Sequence, residues 1–373
     1  MQVKFYGHVR QYHNLKADID AAIQGVLESG EYVLGPVGVR FEKELAGYAN
    51  MKHGIGCNSG TDALWLVFLA LGIGPGDEII TTSSTFFATA EAIWFVGAKA
   101  VFVEMEADTA LIDVSKIEAA ITPRTKAIVP VHLYGQMADM RAISEIAKRH
   151  NLFVIEDNAQ AVDAHGPDFA IGELSDAVCT SFIIQKNLGT FGDGGAIITN
   201  RDDIVARIKA LRNHGSFKRS HHSMGYNSRL DEIHAAVLSV KLKHITEWSD
   251  RRREIAAMYT IGLQGTSFKL PTQKPGYRHV FHLYIIETTT PEERDLMLKY
   301  LNDNGVDAKT HYPISIHQQE GFPWGKEAQL STPLPLTEKS AASVISLPMF
   351  PELEQSEIDY VIDVVRAWED RAR

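Results

Sequence analysis

The sequence predicts an α/β protein: a large domain with a mostly parallel central sheet flanked by helices, then a smaller C-terminal α+β domain. Three observations predict it. Short apolar runs of strand type alternate with segments of helical spacing through the first two thirds of the chain, the order that builds a doubly wound layer. A long helical stretch, or two, then leads away from that layer. From about Thr266 the elements become shorter, which divides the chain into residues 1–265 and 266–373.

The elements follow in order. Leu15, Ile19, Ala22, Ile23, Val26 and Leu27 fall at helical spacing, and Gly30 ends the pattern. "DEIITT" reads as a strand, with a helix starting near Phe87 and the strand "AKAVFVE" after it. "TKAIVPVHLYG", a helix over Ala138 to Arg149 and "LFVIED" continue the alternation. "DAVCTSFII" and "GGAIITN" are further strands, and "RLDEIHAAVLSVKLKHITEWSDRRREIAAMYTIGL" is the long helical exit.

Composition removes whole classes of function. Among 373 residues, 45% are hydrophobic and 23% charged, ordinary for a globular chain, and no apolar run reaches membrane-spanning length. The N-terminal "MQVKFYGHVRQYHNLK" lacks the apolar core of a secretory signal, so a cytoplasmic protein with no membrane partner is expected. A net charge of -10 argues against nucleic acid, because phosphate backbones select basic faces. The two cysteines, Cys57 and Cys179, cannot form a disulfide framework and lack metal-ligand spacing. Fifteen histidines invite a metal reading, yet "KRSHHSM" and "HVFH" have no matching carboxylate or cysteine cluster, so no metal is expected. "GIGPGDE" follows a helix and precedes a strand, the reverse of a dinucleotide fingerprint, and reads as a turn.

Three segments could carry chemistry. In "CNSGTDALWLVFLALG", Ser59, Gly60 and Thr61 stand where a helix begins. Free N–H groups and the positive end of the dipole could hold a phosphate there, or Ser59 could be an ordinary cap. In "LFVIEDNAQ", Asp157 stands at the C-terminal end of a buried strand, where ligands of open α/β sheets collect, although it could equally cap a turn. In "SFIIQKNLGTFGDGG", Ser181 ends a strand and Lys186 follows in a bend among Ile183, Ile184, Leu188 and Phe191. A loop lysine is usually solvated. One held in apolar surroundings loses proton affinity and suits Schiff-base chemistry. A phosphate anchor, an acid for a ring nitrogen and a nucleophilic lysine are the requirements of pyridoxal 5'-phosphate.

With these residues in hand, the chain resembles the DegT/DnrJ/EryC1/StrS sugar aminotransferases over nearly its whole length. The resemblance implies an aspartate-aminotransferase-like fold of type I, with pyridoxal phosphate as cofactor. "SGTDAL" resembles the family's phosphate loop, and "SSTFFATAEAI" the segment whose aromatic residue, here Phe86, stacks on the pyridine ring. "IEDNAQA" implies Asp157 at the pyridine nitrogen and Gln160 near the phenolic oxygen. "SFIIQKNLG" implies Ser181 as a phosphate ligand and Lys186 as the Schiff-base lysine. "GYNSRLDEIHAA" implies that Asn227 reaches the cofactor phosphate of a neighbouring subunit, hence a homodimer with shared sites. "THYPISIHQQ" resembles the substrate-side segment, with His311, Tyr312 and His317 as candidates. Three segments depart from the family pattern. Ile183 and Ile184 replace an aromatic and a proline, "TTSSTFFAT" lacks a proline, and "NAQAVDAHGPDFA" is longer than usual.

The function implied is transfer of an amino group from L-glutamate to a nucleotide-linked keto-sugar. "QYHNLKADIDAAI", "LGIGPGDEII", "NSRLDEIHAAVLSVKL" and "WSDRRREIA" resemble the branch that aminates C3 of dTDP-3-keto-6-deoxyhexoses. Amination at C4 of a 4-keto sugar is the alternative, and a cofactor-binding regulator without catalysis is a second. Related sugar dehydratases carry histidine in place of the lysine, and Lys186 speaks against that chemistry.

Overall fold

Residues of neighbouring strands alternate between two apolar layers, because successive side chains in a strand point to opposite faces. Ile79, Ala100, Phe102, Ala127, Val129, Ala177, Cys179 and Ile197 enter one layer, while Ile80, Val101, Val103, Ile128, Val178, Ala196 and Ile198 enter the other. Both faces are therefore covered. The computed structural model describes residues 1–217, 220–322 and 328–372.

The large sheet contains β1 (His53–Cys57), β2 (Glu78–Thr82), β3 (Lys99–Val103), β4 (Thr125–Val129), β5 (Phe153–Asp157), β6 (Ala177–Ser181) and β7 (Gly195–Thr199). An antiparallel pair, β8 (Ser216–Phe217) and β9 (Ser220–His221), stands apart, and β10 (Tyr284–Glu287) pairs antiparallel with β12 (Val344–Leu347). The last member of the large sheet, β11 (Ala328–Leu330), comes from the C-terminal third and lies parallel to β3. The order is β1-β7-β6-β5-β4-β2-β3-β11. Only β7 runs against its neighbours, pairing antiparallel with β1 and β6.

The N-terminal helices are α1 (His8–Asn14), α2 (Lys16–Ser29) and α3 (Pro36–Tyr48), followed by α4 (Gly60–Leu71), α5 (Phe87–Phe95), α6 (Met140–His150) and α7 (Asp202–Leu211). The expected helical exit is two helices, α8 (Glu232–Leu242) and α9 (Ile245–Gly262), and α10 (Pro291–Asp303), α11 (Pro335–Ser343) and α12 (Gln355–Ala372) complete the chain. Helices α4, α5 and α7 fill one face of the sheet, and α3, α6 and α8 the other. Gly30 ends α2 at φ 70°, a left-handed position that costs glycine little. A separate core joins Val3, Ile255, Tyr259 and Leu263 to Tyr284, Ile286, Met297, Leu301, Ile345, Leu347 and Val361. Val3 reaches this core through a parallel bridge to Val306.

Three buried carboxylates bind the layers together. Glu232 accepts the amides of Gly35, Val37 and Gly38 at 2.9, 2.8 and 2.9 Å, closing the N-terminus of α3. Glu104 accepts the amides of Leu336 and Thr337 at 2.8 and 3.0 Å, closing α11. Glu156 accepts from the Gly172 amide at 2.9 Å and the Ser175 hydroxyl at 2.5 Å, and pairs with His132 Nε2 at 2.8 Å. A negative charge at a helix N-terminus meets unpaired N–H groups and the positive dipole end.

Candidate active site

The C-terminal ends of β1, β5 and β6 share one edge of the sheet with the start of antiparallel β7, since Cys57 and Ser181 both pair with Gly195. Ligands of open α/β sheets gather at this edge. Here a cavity of about 420 Å³ is lined by Ser59, Gly60, Thr61, Phe86, Thr89, Asp157, Gln160, Ser181, Lys186, His282, His311 and Tyr312, among others. Ten of the expected site residues thus converge.

One end of the cavity is the start of α4. Ser59 Oγ accepts the Asp62 amide at 3.1 Å, so the cap reading is correct. The amides of Gly60 and Thr61, as first residues of the helix, have no intrahelical acceptor. A Cβ at Gly60 would lie 2.7 Å from Ser181 Cβ, and one at Gly195 would lie 2.2 Å from Ser59 O. Glycine is required for the backbone of α4 to approach β6 and β7 this closely.

The acid is fully enclosed. Asp157 Oδ2 accepts from Thr89 Oγ1 at 2.8 Å, Thr89 contacts Thr85 Oγ1 at 2.9 Å, and Oδ1 accepts the Ala159 amide at 3.2 Å. Burial raises the Asp157 pKa above the usual carboxylate range, although the Thr89 and Ala159 hydrogen bonds and the charge of Lys186 oppose the shift. His132 supports the acid from behind: its amide donates to Asp157 O at 3.0 Å, and its Nδ1 accepts the Ala138 amide at 3.2 Å. That bond leaves Nε2 as the donor to Glu156.

Lys186 sits in a tight loop between β6 and β7, closed by Phe182 N to Gly194 O at 2.7 Å and Thr190 N to Phe182 O at 2.8 Å. A Cβ at Gly189 would lie 2.5 Å from Ile184 O, which explains the glycine after the lysine. Burial lowers the Lys186 pKa to about 8, against the attraction of Asp157. Lys186 is half-buried, with its side chain on the cavity wall.

Gln160 bridges the large domain to the substrate-side segment. Its Oε1 accepts the Tyr134 amide at 2.7 Å and its Nε2 donates to Tyr312 Oη at 3.0 Å. Phe86 is 54% exposed at the mouth, its ring 5.6 Å from that of Tyr312. His311 Nδ1 meets Ser346 Oγ at 2.8 Å, and burial lowers its pKa to about 4.

Two expected residues stand elsewhere. His317 lies outside the cavity lining, with Nδ1 on Ser83 Oγ at 2.8 Å and Nε2 on Glu338 Oε1 at 3.0 Å. Asn227 is exposed, in a segment tied to α4 by Ser228 Oγ donating to Asp62 Oδ2 at 2.6 Å. Sequence reasoning missed Thr89, one turn into α5, and His282, which it had met only as part of "HVFH". The signal for Thr89 was a hydroxyl one turn after Thr85 on a helix facing the sheet. Among the described residues no group of three or more His, Cys, Asp or Glu side chains is placed to hold a metal. Lys218 and Arg219 of "KRSHHSM" lie outside the described residues. Among those described, no helix is long and apolar enough to cross a membrane.

The donor set fits pyridoxal phosphate: amides and hydroxyls for an anion, a buried acid for a basic ring nitrogen, and a lysine of lowered pKa for a carbonyl carbon. Comparison with known proteins agrees. A "Pleiotropic regulatory protein" of Geobacillus stearothermophilus is 46% identical over 371 residues, covering 98% of both chains. The dTDP-3-amino-3,4,6-trideoxy-alpha-D-glucose transaminase of Streptomyces venezuelae is 44% identical, covering 99% of this chain and 97% of its own. The crystal structure of S. venezuelae DesV in complex with a ketimine intermediate superposes with a TM-score of 0.95 at 44% identity, covering 99% of each chain. The profile of the DegT/DnrJ/EryC1/StrS aminotransferase family matches residues 13–366. An aminotransferase profile over almost the whole chain, on a type I fold with lysine and acid facing one cavity, places this protein in the DegT/DnrJ/EryC1/StrS aminotransferase family.

Proposed function

We propose that this protein is a pyridoxal-phosphate-dependent transaminase, working in the cytoplasm, that carries an amino group from L-glutamate to C3 of a dTDP-3-keto-6-deoxyhexose. The product is a 3-amino-3,6-dideoxyhexose. The observation that carries the reading is the convergence of Lys186, Asp157 and the α4 N-terminus on one cavity. The cofactor supplies an electron sink for charge that develops on the carbon losing its proton.

This chain's residues do the rest. Gly60 and Thr61 amides with the Ser59 and Ser181 hydroxyls hold the phosphate. Asp157, kept in place by Thr89, holds a proton at the ring nitrogen. Phe86 at the mouth would cover the ring, and Gln160, held by Tyr134 and Tyr312, would serve its phenolic oxygen. Lys186, neutral for a useful fraction near pH 8, would be the amine that holds the cofactor's carbonyl carbon and the base for a proton on the neighbouring carbon. His311 and Tyr312 serve the sugar side. A role for His317 there would require breaking its bonds to Ser83 and Glu338. The exposed Asn227 completes the site of a second copy in a homodimer. The same reading assigns the cofactor to residues 1–265 and the substrate-side domain to 266–373, although the second apolar core also draws Val3, Ile255, Tyr259 and Leu263 from the first of these spans.

The test is a visible spectrum of the cofactor-loaded protein with L-glutamate. The absorbance band bleaches in the wild type and not in Lys186→Ala, and a 3-keto sugar nucleotide restores it faster than a 4-keto one. Faster restoration by the 4-keto sugar would move the amination to C4. No response to glutamate would leave a cofactor-binding regulator.

A further inference from the structure

Tyr134 is bonded at every polar atom it has, although it is not itself part of the cavity lining. Its amide donates to Gln160 Oε1 at 2.7 Å, its carbonyl accepts the Leu283 amide at 3.4 Å, and its phenol donates to His311 O at 2.7 Å. Gln160 and His311 both line the cavity. A backbone N–H can only donate, so it fixes the flip of the Gln160 amide. Oε1 faces Tyr134, and Nε2 is left to donate to Tyr312 Oη at 3.0 Å. One residue thus ties three members of the cavity wall.

The backbone is shaped for this. Tyr134 has φ 60° and ψ -1°, a left-handed conformation that bulky residues rarely adopt. The carbonyl of the next residue, Gly135, accepts the Val280 amide at 2.9 Å, and a Cβ on Gly135 would lie 2.9 Å from the amide nitrogens of both Phe281 and His282. The turn is therefore clamped against residues 280–283. The Tyr134 ring, like that of Tyr312, packs against Met105, Leu111, Val131 and Leu133. Packing alone asks for neither the left-handed turn nor the hydroxyl.

The substrate-side segment needs the tie. Lys309 is fixed to Ser346 by two backbone bonds of 3.1 and 2.7 Å, and the Ile316 amide donates to Ser83 O at 3.2 Å. Between them, residues 310–315 form neither helix nor strand. Among the described residues, the Tyr134 phenol is the only donor from outside residues 309–319 that bonds to the backbone of 310–315. Burial holds this phenol above the usual tyrosine range, so it stays a donor across the working pH.

We propose that Tyr134 is a positioning residue for the sugar substrate, its phenol holding the His311 carbonyl and its amide the Gln160 side chain, so that His311, Tyr312 and Gln160 are presented in one arrangement. Its purpose rests on the transaminase reading, which names that substrate. A nucleotide-linked keto-sugar must be turned with one carbonyl carbon toward the reacting amine, and a loose wall would admit several poses.

The test compares Tyr134→Phe with Tyr259→Phe in the full chain. Each loses one hydroxyl bonded to a carbonyl, since Tyr259 Oη donates to Pro348 O at 2.9 Å in the second core. Hydrogen–deuterium exchange of the cofactor-free protein reads the segment directly. Peptides covering residues 309–316 exchange about tenfold faster in Tyr134→Phe, and at the wild-type rate in Tyr259→Phe. In the cofactor-loaded enzyme, Tyr134→Phe raises the KM for the keto-sugar nucleotide about tenfold and leaves that for L-glutamate unchanged, while Tyr259→Phe changes neither. Unchanged exchange over 309–316, a sugar KM raised equally by Tyr259→Phe, or a glutamate KM rising in step would overturn the proposal. The exchange measurement needs neither cofactor nor substrate. A wild type that ignores glutamate would sink the transaminase reading, while exchange still reports whether the Tyr134 tie holds the segment.

Discussion

Lys186 is a half-buried ammonium on the cavity wall, opposed by the charge of Asp157 alone, and its lowered pKa has a cost for the cofactor-free fold. Below about pH 8 the lysine is protonated in both folded and unfolded chains, and the folded state bears the whole desolvation penalty. Between that value and the ordinary lysine range only the unfolded chain keeps the proton, and the penalty fades. Lys186→Met therefore raises the melting temperature of the cofactor-free chain at pH 7 by a few degrees. The gain disappears near pH 10.5, as thermal scans at the two pH values would reveal. The identities of Lys186, Asp157 and the Ser59-Gly60-Thr61 start were legible because each is a chemically unusual residue at a predictable place: a strand end, a helix start, an apolar bend. Thr89 and His282 were not legible. An ordinary threonine on a helix and one histidine among fifteen become special only when the fold sets the first against Asp157 and the second on the cavity wall.

At the scale of elements, the first turn of α3 depends on an acid from α8. Glu232 is completely buried and satisfies three amides, and a Cβ on Gly35 or Gly38 would lie 2.8 or 2.5 Å from its oxygens. Glu232→Ala leaves three N–H groups facing an apolar gap and lowers stability by about 2–3 kcal/mol. The measurement is a urea midpoint shifted down with an unchanged slope. In the sequence Glu232 resembles any acid in the first turn of a helix, which is why the contact was invisible there. Strands and helices of the large layer were legible from their alternation. The antiparallel direction of β7 was not, because direction depends on whether the Lys186 loop returns as a hairpin or crosses over. Nor was the break between α8 and α9 at Lys243 and His244, which has neither glycine nor proline to mark it.

For the whole molecule, the exposed Asn227 and the cavity-lining Lys186 make the dimer proposal testable by complementation. If each site draws Lys186 from one copy and Asn227 from the other, Lys186→Ala and Asn227→Ala chains are each inactive alone. Mixed by co-refolding, they yield hybrids with one intact site, and about a quarter of wild-type activity returns. Activity that stays absent in the mixture, with dimers present by sedimentation, would show that Asn227 acts within its own chain or not at all.

The strand β11 has a consequence for synthesis. It covers the outer edge of β3, yet it belongs to residues 328–330, long after β3 has been made. A chain growing on the ribosome therefore carries β3 with its row of N–H and C=O groups bare until Leu330 emerges. Through most of translation that border is open to any extended peptide nearby, and β11 seals it only as the last eighth or so of the chain is delivered.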